Sequence, residues 1–422
     1  MYALVDCNSF FCSVEKVFHP GLEGVPVCVL SSGDGCIVAL TPEAKALGLR
    51  RGDPLFRVQH IVRAGGVRVF SGNMVLYAAM SRRVMQVLRR HIGAVETYSI
   101  DESFCDLRGL GSGEALVHFM HRVVDDVKRC TDIPVSAGIA PTKTLAKMAS
   151  KFAKQYKGYR SVCLIDSEEK RLRALSLFPL DDVWGIGPRT YAALRAGGMD
   201  TALDFARQSG RWVRSRFALP VYRTWLELQG HPCIDTSEVA RRGQICRSRS
   251  FGQMVNDVEH LSEAVARFAT GCACSLRSEG SVAGSVTVFV SSNVYRTDLA
   301  QHQQADTATF QVPTADTLEI VRAALSVLRR MYRPGVWYKK AGVILSQVQA
   351  ANPCQLNLFD PISRRPQRMA LMRTIDALNG RFGLASVHTA IDMGKDSPWH
   401  ARCDYRSPNY LTDLNDILRV RI

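Results

Sequence analysis

The chain has 422 residues, 46% of them apolar, with 54 Lys and Arg against 39 Asp and Glu and a formal charge of +15. That length exceeds one ordinary core, so about two to four domains are expected, and the basic excess suits a polyanionic partner, although a generally basic surface would give the same excess. No apolar run approaches the ~20 residues of a bilayer span, and the N-terminus carries no basic stretch followed by an apolar one, so neither a membrane helix nor a signal peptide is expected.

Residues 2–6 read as a central strand ending at Asp6, with a short helix at 9–17. Pro26–Leu30 is a second buried strand, followed by a turn through Ser31–Gly35, a strand at 36–39 and a helix at 42–47 closed by Gly48. A long helix ends near residue 91. Strands around 96–100 and 103–107 flank Asp101-Glu102 as a hairpin. Helical periodicity returns at 113–130, and 135–139 is a buried strand. The helix Thr142–Lys157 sets Lys143, Lys147, Lys151 and Lys154 on one face and Leu145, Met148, Phe152 and Tyr156 on the other. No acid occurs between Asp132 and Asp166, so this stripe has no partner nearby in sequence. It reads either as a solvated face or as one turned toward an anion.

Residues 166–235 read as a small helical domain and 236–243 as a polar connector. Residues 244–348 switch to an α+β pattern, with strands at 282–291, 307–312 and 341–348 and helices at 261–279 and 317–332. A Pro- and Arg-containing link, 350–368, leads to a helical tail ending in an amphipathic stretch, Leu411–Ile422. The thirteen cysteines are scattered without a CxxC pair, which suits free thiols in a reducing cytosol.

Asp6 and the pair Asp101-Glu102, about ninety-five residues apart, carry the chemistry. Three carboxylates on adjacent strands can hold two divalent cations about 4 Å apart, which suits phosphoryl transfer on a nucleic acid. Asp6 and Asp101 are the expected bridges, and the carbonyl of Cys7 can complete one oxygen shell. In a regular strand Glu102 would face away from Asp101, so it joins the site only where the hairpin bends. Ordinary strand-end acids are the alternative. No GxxxxGK[ST] and no GxGxxG after a strand occur, so Walker and Rossmann sites find no support. Gly185-Ile186-Gly187, expected between helices at 176–184 and 188–196, can offer backbone N–H groups to a DNA phosphate or be a plain tight turn.

Taken together the residues resemble the Y-family translesion DNA polymerases, in the UmuC-type branch with its plasmid-borne relatives. Asp6-Cys7-Asn8-Ser9-Phe10-Phe11 is similar to the family's first metal motif and Tyr98-Ser99-Ile100-Asp101-Glu102 to its second. Pro141–Lys147 resembles the palm helix, and Cys246–Gly252 resembles the start of the little finger. The resemblance implies an α+β multidomain, right-hand polymerase. Its palm spans 1–23 and 73–165, fingers 24–72, thumb 166–235, linker 236–243, little finger 244–350 and a partner-binding tail 351–422. It also implies error-prone synthesis in SOS mutagenesis and DNA damage tolerance, in a cytoplasmic, nucleoid-associated setting.

By that resemblance Asp6, Cys7, Asp101 and Glu102 bind two Mg2+, and Phe11 is the steric gate that collides with a ribose 2′-OH. Lys45 and Lys154 meet the triphosphate. Gly185, Gly187, Arg189, Arg247 and Arg249 contact primer–template DNA. Relatives carry Ala-Arg-Asn or a similar polar triplet where this chain has Ala39-Leu40-Thr41, so an arginine over the base pair is absent and Leu40 packs there instead. Gln355-Leu356-Asn357-Leu358-Phe359 resembles a peptide for the bacterial β sliding clamp, its spaced apolar anchors suited to a partner's groove. Trp399 and Ser407–Tyr410 resemble the tail that engages a processed UmuD-type dimer, with RecA filaments activating the assembly. A catalytically silent, clamp-associated DNA-binding scaffold is the competing reading.

Overall fold

The computed structural model describes residues 1–236, 242–351, 365–383, 386–392 and 397–418. They fall into two units: residues up to the 237–241 connector together with 404–418, and residues 242–403.

The first unit is built on a five-stranded sheet of β1 (Tyr2–Cys7), β5 (Val95–Thr97), β6 (Glu102–Asp106), β7 (Val135–Ala140) and β8 (Val162–Leu164), in the order β5-β6-β1-β7-β8. The central β1 runs antiparallel to both neighbours, pairing Asp6 with Glu102 on one side and with Ser136 on the other. Strand alternation sends Ala3, Val5 and Cys7 into a core with α4 (Met74–His91) and α5 (Gly113–Thr131). Leu4 and Phe104 face α6 (Lys143–Gln155) instead. Gly138 permits that close approach: a Cβ there would lie 2.0 Å from Ser150 N and 2.2 Å from Ala146 O, so any side chain would push α6 off the sheet.

Helix α1 (Phe10–Phe18) follows β1. A smaller sheet, ordered β3-β2-β4, is formed by β2 (Val27–Leu30), β3 (Ile37–Leu40) and β4 (Arg68–Ser71), with α2 (Pro42–Ala46) and α3 (Leu55–Ala64) around its own apolar core. Helices α7 (Glu168–Leu177), α8 (Pro188–Ala196), α9 (Ala202–Ala206), α10 (Gly210–Arg216) and α11 (Leu219–Leu228) share a core with α6. The buried Glu227 ties the two together, accepting from Thr144 N and Thr144 Oγ1 at 2.8 Å each at the positive end of α6.

The second unit is a four-stranded antiparallel sheet, β11-β10-β12-β9, of β9 (Gln244–Val255), β10 (Ser281–Ser292), β11 (Gln303–Thr314) and β12 (Tyr338–Ala350). Helices α12 (Val258–Ser278) and α13 (Thr317–Met331) share its core. Helix α14 (Arg365–Phe382) is held by ion pairs Arg277–Asp376 at 2.6 Å, Arg365–Glu319 at 3.2 Å and Arg368–Asp316 at 2.5 Å. Trp399, fully buried, inserts against Phe268.

Three expectations are corrected. No helix covers 176–184: α7 ends at Leu177 and a single 3-10 turn, Leu180–Asp182, follows Pro179. The amphipathic stretch from Leu411 forms turns and one 3-10 turn, Leu414–Asp416, rather than a helix over its described residues. Residues 244–255 form a strand that the polar run Arg247-Ser248-Arg249-Ser250 conceals. Only Ile245, Phe251 and Val255 reach the core from this edge strand.

Candidate active site

The reading frame of β1 carries Asp6 to the α6 side of the sheet, directly opposite Glu102. Like charges in register destabilise a strand pair, so this arrangement demands positive charge from elsewhere. Between β5 and β6 the chain turns through Tyr98–Asp101. Tyr98 N and Ser99 N both donate to Glu102 O, and Cys7 N donates to Asp101 O at 2.9 Å. The turn is the bend that sequence reasoning required: it brings Asp101 beside the end of β1 while Glu102 begins the next strand.

An open cavity of about 860 Å³ lies here. Asp6, Cys7, Phe11, Leu40, Lys45, Asp101, Glu102 and Lys154 all border it, so every predicted metal and nucleotide residue converges on one space. Cys7 points its thiol into the core, 3% exposed, and burial beside Asp6 and Asp101 drives that thiol's pKa well up. Only its backbone carbonyl is left for the cavity. Leu40 is 4% exposed and belongs mostly to the core of the smaller sheet.

Each carboxylate has its own partner. Lys154 Nζ lies 2.5 Å from Asp6 Oδ1, Lys147 Nζ lies 3.1 Å from Glu102 Oε2, and Ser99 Oγ donates to Asp101 Oδ1 at 2.5 Å. Among the described residues, no group of three or more His, Cys, Asp or Glu is placed closely enough, as it stands, to hold a metal ion. The lysine stripe of α6 therefore has partners that sequence distance hides. Lys143 is buried against Glu96 at 2.8 Å, and Lys151 pairs with Asp182, both outside the cavity.

Burial pushes the Asp6 carboxyl up to about 6, with Lys154 opposing the shift and the Glu102 and Asp101 charges adding to it. The set nonetheless fits divalent cations: its donors are hard oxygens, and its central acid is desolvated and crowded by like charge. A cation would relieve both penalties and release the lysines.

Ser9 leads into α1 in the left-handed conformation, φ 45°, a cost of about 1 kcal/mol, and its Oγ donates to Leu40 O at 2.8 Å. This turn buries Phe10, 3% exposed, and leaves Phe11 half-buried at the cavity, stacked on Tyr77 with ring centroids 4.6 Å apart. Arg50 and Arg51 also border the cavity and were missed. Their signal was a basic pair just beyond the Gly48 helix stop.

Gly185 adopts φ +92°, and a Cβ there would meet Thr224 Oγ1 at 2.2 Å, so the turn accepts only glycine. Gly187 starts α8, with Pro188 in its first turn and Arg189 exposed. On β9, Arg247 and Arg249 are exposed and share the strand face of Ile245 and Phe251. Arg247 Nη2 donates to Ser275 Oγ of α12 at 3.2 Å. Gln355–Phe359 lies outside the described residues. The cysteines among the described residues are free, and no described helix is long and apolar enough to cross a membrane.

The impB/mucB/samB family model matches residues 5–151, that family's C-terminal domain model matches 242–358, and a domain of unknown function (DUF4113) matches 369–420. The chain is 39% identical over 423 residues to the Protein UmuC of Salmonella typhimurium strain LT2, covering 100% of both. It is 39% identical over 425 residues to Protein ImpB of Salmonella typhimurium, again covering 100% of both. Against DNA polymerase IV of Caulobacter vibrioides it is 27% identical over 390 residues, 92% of this chain and 93% of the other. Among solved structures, the Y-family DNA polymerase chimera Dbh-Dpo4(243-245)-Dbh aligns with a TM-score of 0.64 at 21% identity, over 83% of this chain and 99% of that one. An insertion ternary complex of Dbh DNA polymerase aligns at 0.53 with 20% identity and the same coverage. At these identities the structural likeness speaks for a shared α+β multidomain fold.

Proposed function

The chain belongs to the impB/mucB/samB family of UmuC-type, Y-family DNA polymerases, and from that premise we propose how its cavity works. The protein is a translesion DNA polymerase of SOS mutagenesis, a DNA-directed enzyme that extends DNA with deoxynucleotides. The observation that carries the residue assignment is the convergence of Asp6, Asp101, Glu102, Phe11, Lys45 and Lys154 on one cavity.

Asp6, Asp101, Glu102 and the Cys7 carbonyl would hold two Mg2+. Bound there, the ions would acidify the primer 3′-OH and neutralise the triphosphate. Lys154 would leave Asp6 for the triphosphate, facing Lys45 from the other side, with Arg50 and Arg51 adding positive charge as pyrophosphate departs. Phe11 would sit under the sugar. The palm, fingers, thumb and little finger would be 1–23 with 73–165, 24–72, 166–235 and 244–350. Gly185, Gly187 and Arg189 would take DNA phosphate, as would Arg249 and, once released from Ser275, Arg247. A silent scaffold would require none of the carboxylates to meet a sugar-sized aromatic and triphosphate-facing lysines.

Cation binding is expected to depend on pH through Asp6. Its carboxyl titrates near 6 in the folded, cation-free chain against 3.8 ordinarily, so the folded state holds the proton longer. Stability from this group is present below about pH 4 and lost as pH rises through about 6, on the order of 3 kcal/mol for this buried group. A cation must displace that proton. Calorimetric Mn2+ titration of the full chain should show affinity rising steeply from pH 5 to 6.5 and flattening above pH 7. Flat affinity across that range would remove Asp6 from the ligand set.

The clamp peptide is proposed at Gln355–Phe359, with the β sliding clamp as its partner. Deleting 355–359 should weaken clamp binding by about tenfold or more with unchanged melting behaviour, the scale of losing several apolar anchors. Equal clamp affinity would reject the peptide. Trp399 and Ser407 are both buried within this chain, so the exposed remainder of the tail, rather than those two side chains, is proposed to engage a processed UmuD-type dimer, with RecA filaments activating the assembly in a cytoplasmic, nucleoid-associated setting.

A further inference from the structure

Residues 404–410 return to the first unit and dock on the end of β4, on α1 and on the start of α4. Arg406 bridges Ser71 at the end of β4, with Ser71 N donating to Tyr405 O and Tyr405 N donating to Ser71 Oγ, each at 3.0 Å. Tyr410 stacks on Phe18 with ring centroids 4.8 Å apart. Ser407, 6% exposed, lies at the centre of this contact. Asn73, the N-cap of α4, donates its Nδ2 to Ser407 O at 2.9 Å, and Ser407 Oγ donates to Glu15 Oε1 at 3.0 Å.

Glu15 is fully buried, and its Oε2 has no hydrogen-bond partner among the described residues. A buried carboxyl is held in one orientation only by the donors that reach it. Here there are two side-chain donors to Oε1: Ser407 and Tyr77, whose hydroxyl donates at 2.7 Å. Burial raises the Glu15 pKa, and those same two donors oppose the rise. Tyr77 sits in the first turn of α4, and its ring is the surface on which Phe11 stacks, nearly parallel at 16°. Phe11 and Glu15 lie one turn apart on the same face of α1. The tail thus joins a closed arrangement in which Ser407 fixes Glu15, Glu15 fixes Tyr77, and Tyr77 fixes the plane of Phe11.

We propose that the C-terminal segment 404–410 is a positioning element for sugar selection, acting through Ser407, Glu15 and Tyr77 on the ring of Phe11. This rests on the reading of Phe11 as the steric gate, and it assigns a task to part of a region matched only by a domain of unknown function. A ring that tilts gives a ribose 2′-OH room, whereas a deoxyribose makes no use of the difference.

The test is the ratio of deoxynucleotide to ribonucleotide kcat/KM for one base on one primer–template, using the full chain with its partners. Ser407→Ala should lower that selectivity roughly three- to tenfold, the scale of one hydrogen bond, mainly by raising ribonucleotide insertion. Ser407→Thr, which keeps the hydroxyl, should restore it, and Tyr77→Phe should mimic the loss. In a Phe11→Ala background, Ser407→Ala should change selectivity no further. If Phe11→Ala relaxes selectivity but Ser407→Ala leaves it within twofold, or depresses both substrates equally, the proposal is overturned and the gate stands. If Phe11→Ala itself leaves selectivity unchanged, the gate fails and the proposal with it.

Discussion

Asp101→Asn and Glu102→Ala should each abolish primer extension, by about a thousandfold or more, while primer–template affinity stays within about twofold. A thousandfold loss corresponds to about 4 kcal/mol of transition-state stabilisation, the scale expected when a cation loses an anionic ligand. The fold should survive because the contacts that hold this turn are backbone ones: Cys7 N to Asp101 O, and Tyr98 and Ser99 N to Glu102 O. Asn keeps the shape of Asp101 and can still receive Ser99 Oγ. Glu102→Ala frees Lys147, which is 21% exposed at its side chain and retains the Tyr98 ring 4.5 Å away. Extension that survives either change would remove that residue from the site.

Phe11→Ala should raise ribonucleotide insertion relative to deoxynucleotide insertion by roughly a hundredfold. Exclusion by a clash can discriminate more strongly than an added attraction, because an obstructed substrate cannot reach the reactive pose. Phe11 is only half-buried, so its loss should cost the fold little beyond the stack on Tyr77, about 1 kcal/mol. Phe11→Tyr keeps the ring and should keep the discrimination. Single-nucleotide insertion kinetics with matched ribo and deoxy substrates measure it directly, and unchanged sugar discrimination in Phe11→Ala would reject the gate.

The carboxylates were legible in the sequence because their logic is local, whereas the roles of Phe11, Lys45 and Lys154 rested on the family resemblance. Two-residue alternation decides which face Asp6 takes, and a turn between short strands brings Asp101 and Glu102 together. The Phe10-Phe11 pair divides between core and cavity as one turn of helix requires. What escaped was tertiary. Lys147 and Lys154 lack acids nearby in sequence, yet the sheet beneath α6 supplies Glu102 and Asp6. Strand β9 escaped because an edge strand needs few apolar residues, and Arg247 to Ser250 break the alternation. The helix expected at 176–184 does not form because Pro179 falls inside that stretch, just after α7 ends at Leu177. The docking of Ser407 beside Glu15 spans most of the chain, and no pattern within the tail announces it.

The cavity is most directly tested by Mg2+-dependent primer extension on undamaged and abasic templates. The full chain would be assayed with and without the clamp, a processed UmuD-type dimer and RecA filaments. The expected result is template-directed deoxynucleotide addition on both templates that requires Mg2+, is lost in Asp101→Asn and is strongest with all partners present. Stable primer–template binding without extension under every combination would contradict it and leave a DNA-binding scaffold.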